Sequence, residues 1–169
     1  RGAEAIMNII TGKKCPSGKL CFSYPKYPGY DVNYYHKTSE QYDVLFPFGH
    51  GLSYNDFEYK NFRVNKTIVK TFEESITASV SIKNNGQFNG KETALWFMSD
   101  LYWRITRPVK LLKHVDIVFL KPGEEKTIEF TFSPEFVLSY PDKNNQPVLE
   151  KGDFEISVGH FRQKISFAN

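Results

Sequence analysis

Two pairs of adjacent carboxylates, Glu73-Glu74 and Glu124-Glu125, are the first candidates for chemistry. A carboxylic acid and a carboxylate held together can do acid/base work, but only in a desolvated cleft that separates their pKa values. Neighbouring residues on a strand face opposite ways, and Glu124-Glu125 follows a Pro-Gly turn, so solvated turn carboxylates are expected instead. His36, His50, His114 and His160 are scattered without ligand spacing. Ser17, Ser53 and Ser139 lie in no nucleophile-elbow motif, and the glycines build no phosphate-cradling loop. Cys15 and Cys21 flank Pro-Ser-Gly. They read either as a small disulfide loop or as two free thiols, the latter favoured, and no second Cys/His pair completes a metal tetrahedron. No metal or cofactor is expected.

Two other groups concern recognition. Tyr102-Trp103-Arg104 places two aromatic rings and a guanidinium at a strand end, suited to a sugar face, to a neighbouring domain, or to folding back on its own domain. Asn65-Lys66-Thr67 is an N-glycosylation acceptor pattern, relevant if the chain enters a secretory pathway.

The elements that would position these residues fall into two kinds. Ala5, Ile6, Ile9 and Ile10 recur at helical spacing and stop at Gly12, which predicts an amphipathic helix with a glycine C-cap. The turn KKCPSGK and a short strand KLCFSY follow. Such a unit cannot bury its apolar faces alone and reads as the end of an α/β domain. Residues 25–44 form a Tyr-rich connector. From residue 55 the period becomes two: Phe57/Tyr59 then Phe62/Val64 with an irregularity between, Ile76 to Ile82, Thr93–Met98, Val115 to Phe119, Ile128 to Phe132, Phe154 to Val158, and Ile165/Phe167. Each alternating run predicts one face for a core and one for water. PEFVLS at 134–139 predicts one helical turn. About seven short strands separated by Gly, Pro and Asn turns describe an immunoglobulin-like β-sandwich.

The chain of 169 residues is 16% aromatic and carries a net charge of +3 from 22 basic and 19 acidic residues, with no basic block. Nucleic-acid binding is not expected, nor is a membrane span. The chain opens at Arg1 without Met or leader and reads as an excised or processed piece.

Several stretches together resemble one family. LFPFGHGLSYNDFEY at 45–59 is similar to the FPFGYGLSY-type motif of glycoside hydrolase family 3, the family of β-glucosidases and β-xylosidases. GAEAIMNIITGKKCPSGKLCFSYP resembles the segment that closes that family's α/β sandwich domain, with Cys15 and Cys21 in place of its usual residues. NYYHK at 33–37 is similar to its linker. RPVKLLK, FLKPGEEKTIEFTFSPE and EKGDFEISVGH resemble its C-terminal fibronectin type III-like domain.

The resemblance implies a mainly β fold, a fibronectin type III-like β-sandwich preceded by a terminal helix-strand fragment. The expected division is 1–25 as the end of the α/β domain, 26–54 as interdomain connector and 55–169 as sandwich. Phe46, Phe48, His50 (where Tyr is common) and Tyr54 would dock on the preceding domain, with Gly49 and Gly51 letting the backbone turn. The implied activity of the whole enzyme is hydrolysis of β-linked oligosaccharides or glycosides by two carboxylates about 5 Å apart, with retention. Both belong upstream: an Asp in the barrel domain and, where it is a Glu, an acid/base in the α/β domain. No residue here inherits either role, so this chain alone is expected to be inactive and to need the upstream catalytic domains as partner. An extracellular or secretory compartment is favoured. The alternative is a non-catalytic module binding glycans or protein through Tyr102, Trp103 and Arg104; the N-terminal helix and strand argue against it.

Overall fold

A computed structural model describes residues 2–30, 32–101 and 108–168. The helical spacing at the N-terminus produces α1 (Gly2–Ile10). The chain leaves it through Gly12, at φ 73°, with the Gly12 N–H donating to the Ile9 carbonyl at 2.9 Å. Strand structure in the next stretch is shorter than KLCFSY suggests. Strand pairing is confined to β1 (Tyr24–Pro25), which meets β2 (Val44–Phe46) with a register shift between Tyr24 and Pro25, because its partner is the irregular Pro- and Gly-rich motif.

Ten further strands follow: β3 (Phe57–Val64), β4 (Ile68–Val69), β5 (Ile76–Asn84), β6 (Gly90–Asp100), β7 (Leu111–Leu120), β8 (Glu125–Phe132), β9 (Tyr140–Pro141), β10 (Pro147–Val148), β11 (Gly152–Val158) and β12 (Phe161–Phe167). Between β8 and β9 lies the expected helical turn, α2 (Pro134–Leu138), N-capped by Ser133. One sheet has the order β3-β5-β8, the other β4-β12-β11-β6-β7, and β9 pairs with β10. Neighbours in both larger sheets are antiparallel except β4 and β12. The expected irregularity in β3 is a register shift between Lys60 and Arg63, with Asn61 at φ 53°.

The inward rows of the two sheets meet in one core: Ile76, Ala78, Val80 and Ile82 from β5 oppose Ala94, Trp96 and Met98 from β6 and Phe154, Ile156 and Val158 from β11. Trp96 is fully buried and its indole N–H donates to Asp116 Oδ2 at 2.8 Å. The fold is thus the mainly β sandwich that the sequence predicts.

One strand departs from expectation. The apolar row Val115, Ile117 and Phe119 of β7 faces outward and is exposed. The inward row is instead His114, Asp116, Val118 and Leu120. Its polar members are accommodated at the sheet edge, where His114 stacks on Phe130 at 4.7 Å and Asp116 receives the Trp96 N–H. Alternation gives the period of a strand, not which row points in.

Candidate functional site

The paired carboxylates organise turns. Glu74 Oε1 accepts from the Lys70 and Thr71 backbone N–H groups at 2.7 and 3.0 Å, and its other oxygen meets Lys66. Glu124 Oε2 accepts from the Lys121 N–H at 2.7 Å, and Oε1 pairs with Lys126. These hydrogen bonds hold both carboxyls below their ordinary pKa, the backbone donors being the largest cause. A general acid requires the opposite shift, so neither Glu74 nor Glu124 is poised as one.

The histidines are separately engaged. His36 stacks on Tyr42, His50 on Phe46 and His114 on Phe130, while His160 sits beside Phe161. Among the described residues no group of three or more His, Cys, Asp or Glu could hold a metal. Cys15 and Cys21 are free thiols, and Cys15 Sγ lies 3.2 Å from Ser53 Oγ.

What the structure does assemble is a junction. The Leu20 N–H donates to the His50 carbonyl and the Gly49 N–H to the Leu20 carbonyl, both at 2.8 Å. With Tyr24 opposite Phe46 and Pro25 opposite Val44, residues 19–25 and 44–51 form an irregular antiparallel ribbon. Gly49, at φ 81°, occupies a conformation that favours glycine, and a Cβ there would fall 2.5 Å from Leu95. Gly51 has a different role. Its φ is outside that region, but a Cβ would stand 2.2 Å from the Gly18 carbonyl oxygen and 2.9 Å from the Lys19 stem. It is a crossing point, not a second turn.

The aromatic residues of the motif reach both ways. Phe48 stacks on Tyr34 at 4.3 Å, and both meet Phe97 of β6 edge-on. Lys110 lies over the other partner of this cluster, Phe97, at 4.4 Å, and burial lowers its pKa. Tyr54 donates its O–H to the Ile9 carbonyl at the end of α1, while its ring is 6.2 Å from Phe88. Phe46 remains partly exposed over His50 and Tyr24.

Beside the ribbon, Lys19 reaches Glu92 at 3.3 Å, and the same oxygen, Oε1, accepts from the Tyr59 hydroxyl at 3.0 Å. Glu92 is 7% exposed. Burial first, then the adjacent carboxylate, push the Tyr59 phenol well above its ordinary pKa.

Two apolar surfaces stay uncovered. No residue of α1 is buried, leaving Ile6, Met7 and Ile10 exposed, with Leu52 also exposed. On the sandwich, a cleft of about 430 Å³ runs between residues 17–21 and the outer rows of β6 and β7, lined by Leu20, Phe48, Leu95, Val115 and Ile117. Among the described residues no helix is long and apolar enough to cross a membrane. Asn65 is exposed; its Oδ1 accepts from the Thr77 N–H at 2.9 Å. Tyr102, Trp103 and Arg104 lie outside the described residues. Sequence reasoning singled out the 45–54 motif but missed Lys19, Tyr34 and Leu95, its partners across the junction, and Glu92, which Lys19 reaches. Only the apolar-row position of Glu92, between Gly90 and Ala94, signalled a buried carboxylate needing a partner.

Comparison with known proteins gives two family matches. Residues 1–54 match the glycosyl hydrolase family 3 C-terminal domain, and residues 92–161 match the fibronectin type III-like domain. The chain is 36% identical to Beta-glucosidase BoGH3A of Bacteroides ovatus, over 93% of this chain and 24% of that protein. It is 36% identical to the lysosomal beta glucosidase of Dictyostelium discoideum, over 94% and 21%. The chain thus spans about a quarter of the length of the curated relatives it matches. Among solved structures, the β-glucosidase from Listeria innocua in complex with glucose superposes with a TM-score of 0.87 at 29% identity, over 97% of this chain and 26% of that one. The β-glucosidase EmGH1 from Erythrobacter marinus does so at 0.87 and 28%, over 99% and 24%.

Proposed function

The chain belongs to glycoside hydrolase family 3, and from that premise we propose that it is the C-terminal part of a β-glycosidase that hydrolyses O-glycosidic bonds of β-linked oligosaccharides or glycosides. One observation carries this reading: the likeness runs through both the N-terminal segment and the sandwich, over nearly the whole chain, and every relative named above is a β-glucosidase. The proposed division is an α/β-domain end at 1–25, a connector at 26–54 and a fibronectin type III-like domain at 55–169. The sandwich is structural. Glu74 and Glu124, both held below their ordinary pKa, are not poised as general acids, and the proposed reacting groups belong to the rest of the polypeptide.

The uncovered apolar surfaces are the proposed docking faces. Exposed apolar patches of this kind mark surfaces that another body covers. Ile6, Met7, Ile10 and Leu52 form one, and Val115, Ile117 and Phe119 form the other. Phe46, Phe48, His50 and Tyr54 hold the ribbon between them.

The test is turnover of aryl β-glycosides by the intact protein and by this chain alone. Hydrolysis by the intact protein and the buffer rate for the isolated chain are expected. Turnover by the isolated chain, or none by an intact protein that retains both upstream carboxylates, overturns the reading. In a secretory pathway Asn65 is the proposed N-glycan acceptor. Enzymatic deglycosylation should then lower the apparent mass of the wild type and leave Asn65→Gln unchanged; an equal mass drop in both would remove Asn65 from the assignment.

A further inference from the structure

We infer that Glu92 is the receptor of a latch that fastens the ribbon to the sandwich through Lys19. Three separate parts of the chain meet at one carboxylate oxygen. Tyr59 comes from the three-stranded sheet, Glu92 from the five-stranded sheet and Lys19 from the ribbon. Glu92 occupies the inward row of β6, with buried Gly90 and Ala94 on either side along that row. A carboxylate there is costly unless a positive charge and hydrogen bonds compensate it. Tyr59 supplies a hydrogen bond but no charge. Lys19 supplies the charge, and it can do so only while the ribbon is seated.

The backbone is shaped for that contact. The Lys19 stem passes Gly51 so closely that any side chain at 51 would collide with it and with the Gly18 carbonyl. On the far side the ribbon is held to itself by the Leu20 and Gly49 amides. Releasing the ribbon therefore strands a buried carboxylate with one neutral donor, and this penalty opposes release. Removing Lys19 leaves the Tyr59–Glu92 bond joining the two sheets, so the sandwich itself stays closed. The latch is a local device, distinct from the core.

The experiment is amide hydrogen exchange on the intact protein, comparing wild type, Lys19→Met, Glu92→Gln and the double variant. Lys19→Met keeps the apolar stem and removes the charge. Exchange in residues 19–25 and 44–51 should rise about ten-fold, as loss of a charged hydrogen bond implies, while β5 and β11 stay as in wild type. Adding Glu92→Gln to Lys19→Met should raise it no further, because the two groups act as one unit. Unchanged exchange in the ribbon of Lys19→Met overturns the inference. So does an equal rise in ribbon and β5, or an additive double variant. If Glu92→Gln alone weakens the whole fold, Lys19→Met still decides, since Lys19 lies outside the sandwich. The readout does not depend on glycosidase activity.

Discussion

At the scale of single residues, the asparagines and turn carboxylates shape more of the molecule than any reactive group. Asn84 is fully buried. Its Nδ2 donates to the Phe88 and Leu120 carbonyls at 2.8 and 3.1 Å, and its Oδ1 accepts from the Gly86 N–H at 2.9 Å. Asn84→Ala strands these backbone groups and should cost about 2–4 kcal/mol in urea unfolding; a loss within experimental error would show that water replaces the amide. Glu74 acts at the surface, and its effect is read through pH. Its carboxyl is held below the ordinary value of 4.5, so its contribution is fully present above that value and disappears as pH falls through the lowered one. Wild type should unfold at higher urea than Glu74→Gln at pH 7, and the gap should close in acid. A gap that does not change with pH would mean that the charge is immaterial. The sequence displayed both carboxylate pairs and their spacing. It did not display the Lys19–Glu92 contact, because nothing local requires residues so far apart to meet.

At the scale of elements, strand period was legible and strand facing was not. The alternations in β5, β8, β11 and β12 give the correct inward rows because each has only one apolar row. In β7 Val118 and Leu120 share the inward row with His114 and Asp116, so both rows carry large apolar side chains. The larger set, Val115, Ile117 and Phe119, is outside. Hydrophobicity alone does not select the inward row when both rows are apolar. Ile117→Thr should therefore change the stability of this chain by less than about 0.5 kcal/mol, whereas Ile156→Ala, emptying the core, should cost about 2–5 kcal/mol. Similar losses in thermal or chemical unfolding would place Ile117 in a core after all. Glycine shows the same limit. Gly49 and Gly51 look equivalent in the motif, yet one supplies a left-handed turn and the other empty space for a crossing chain.

At the scale of the whole molecule, the sheet order differs from the order in which the strands are made. β12 lies between β11, which precedes it by a short turn, and β4, whose Ile68 stands opposite Ser166 in parallel register. During synthesis β4 therefore emerges long before β12, its sheet neighbour, and β11 emerges with one side open. Val69, fully buried in the finished fold, waits for β12, which carries the equally buried Ile165, to cover it. A message cut short before residue 161 would leave two unpaired strand edges and an open core, the kind of surface that chaperones and proteases detect. A chain ending at residue 160 should be recovered as aggregate or degraded, and soluble recovery at the level of the longer chain would contradict this. A nascent copy would thus pass its structural inspection only once the ribosome had read through β12, which makes that one strand the checkpoint for this part of the fold.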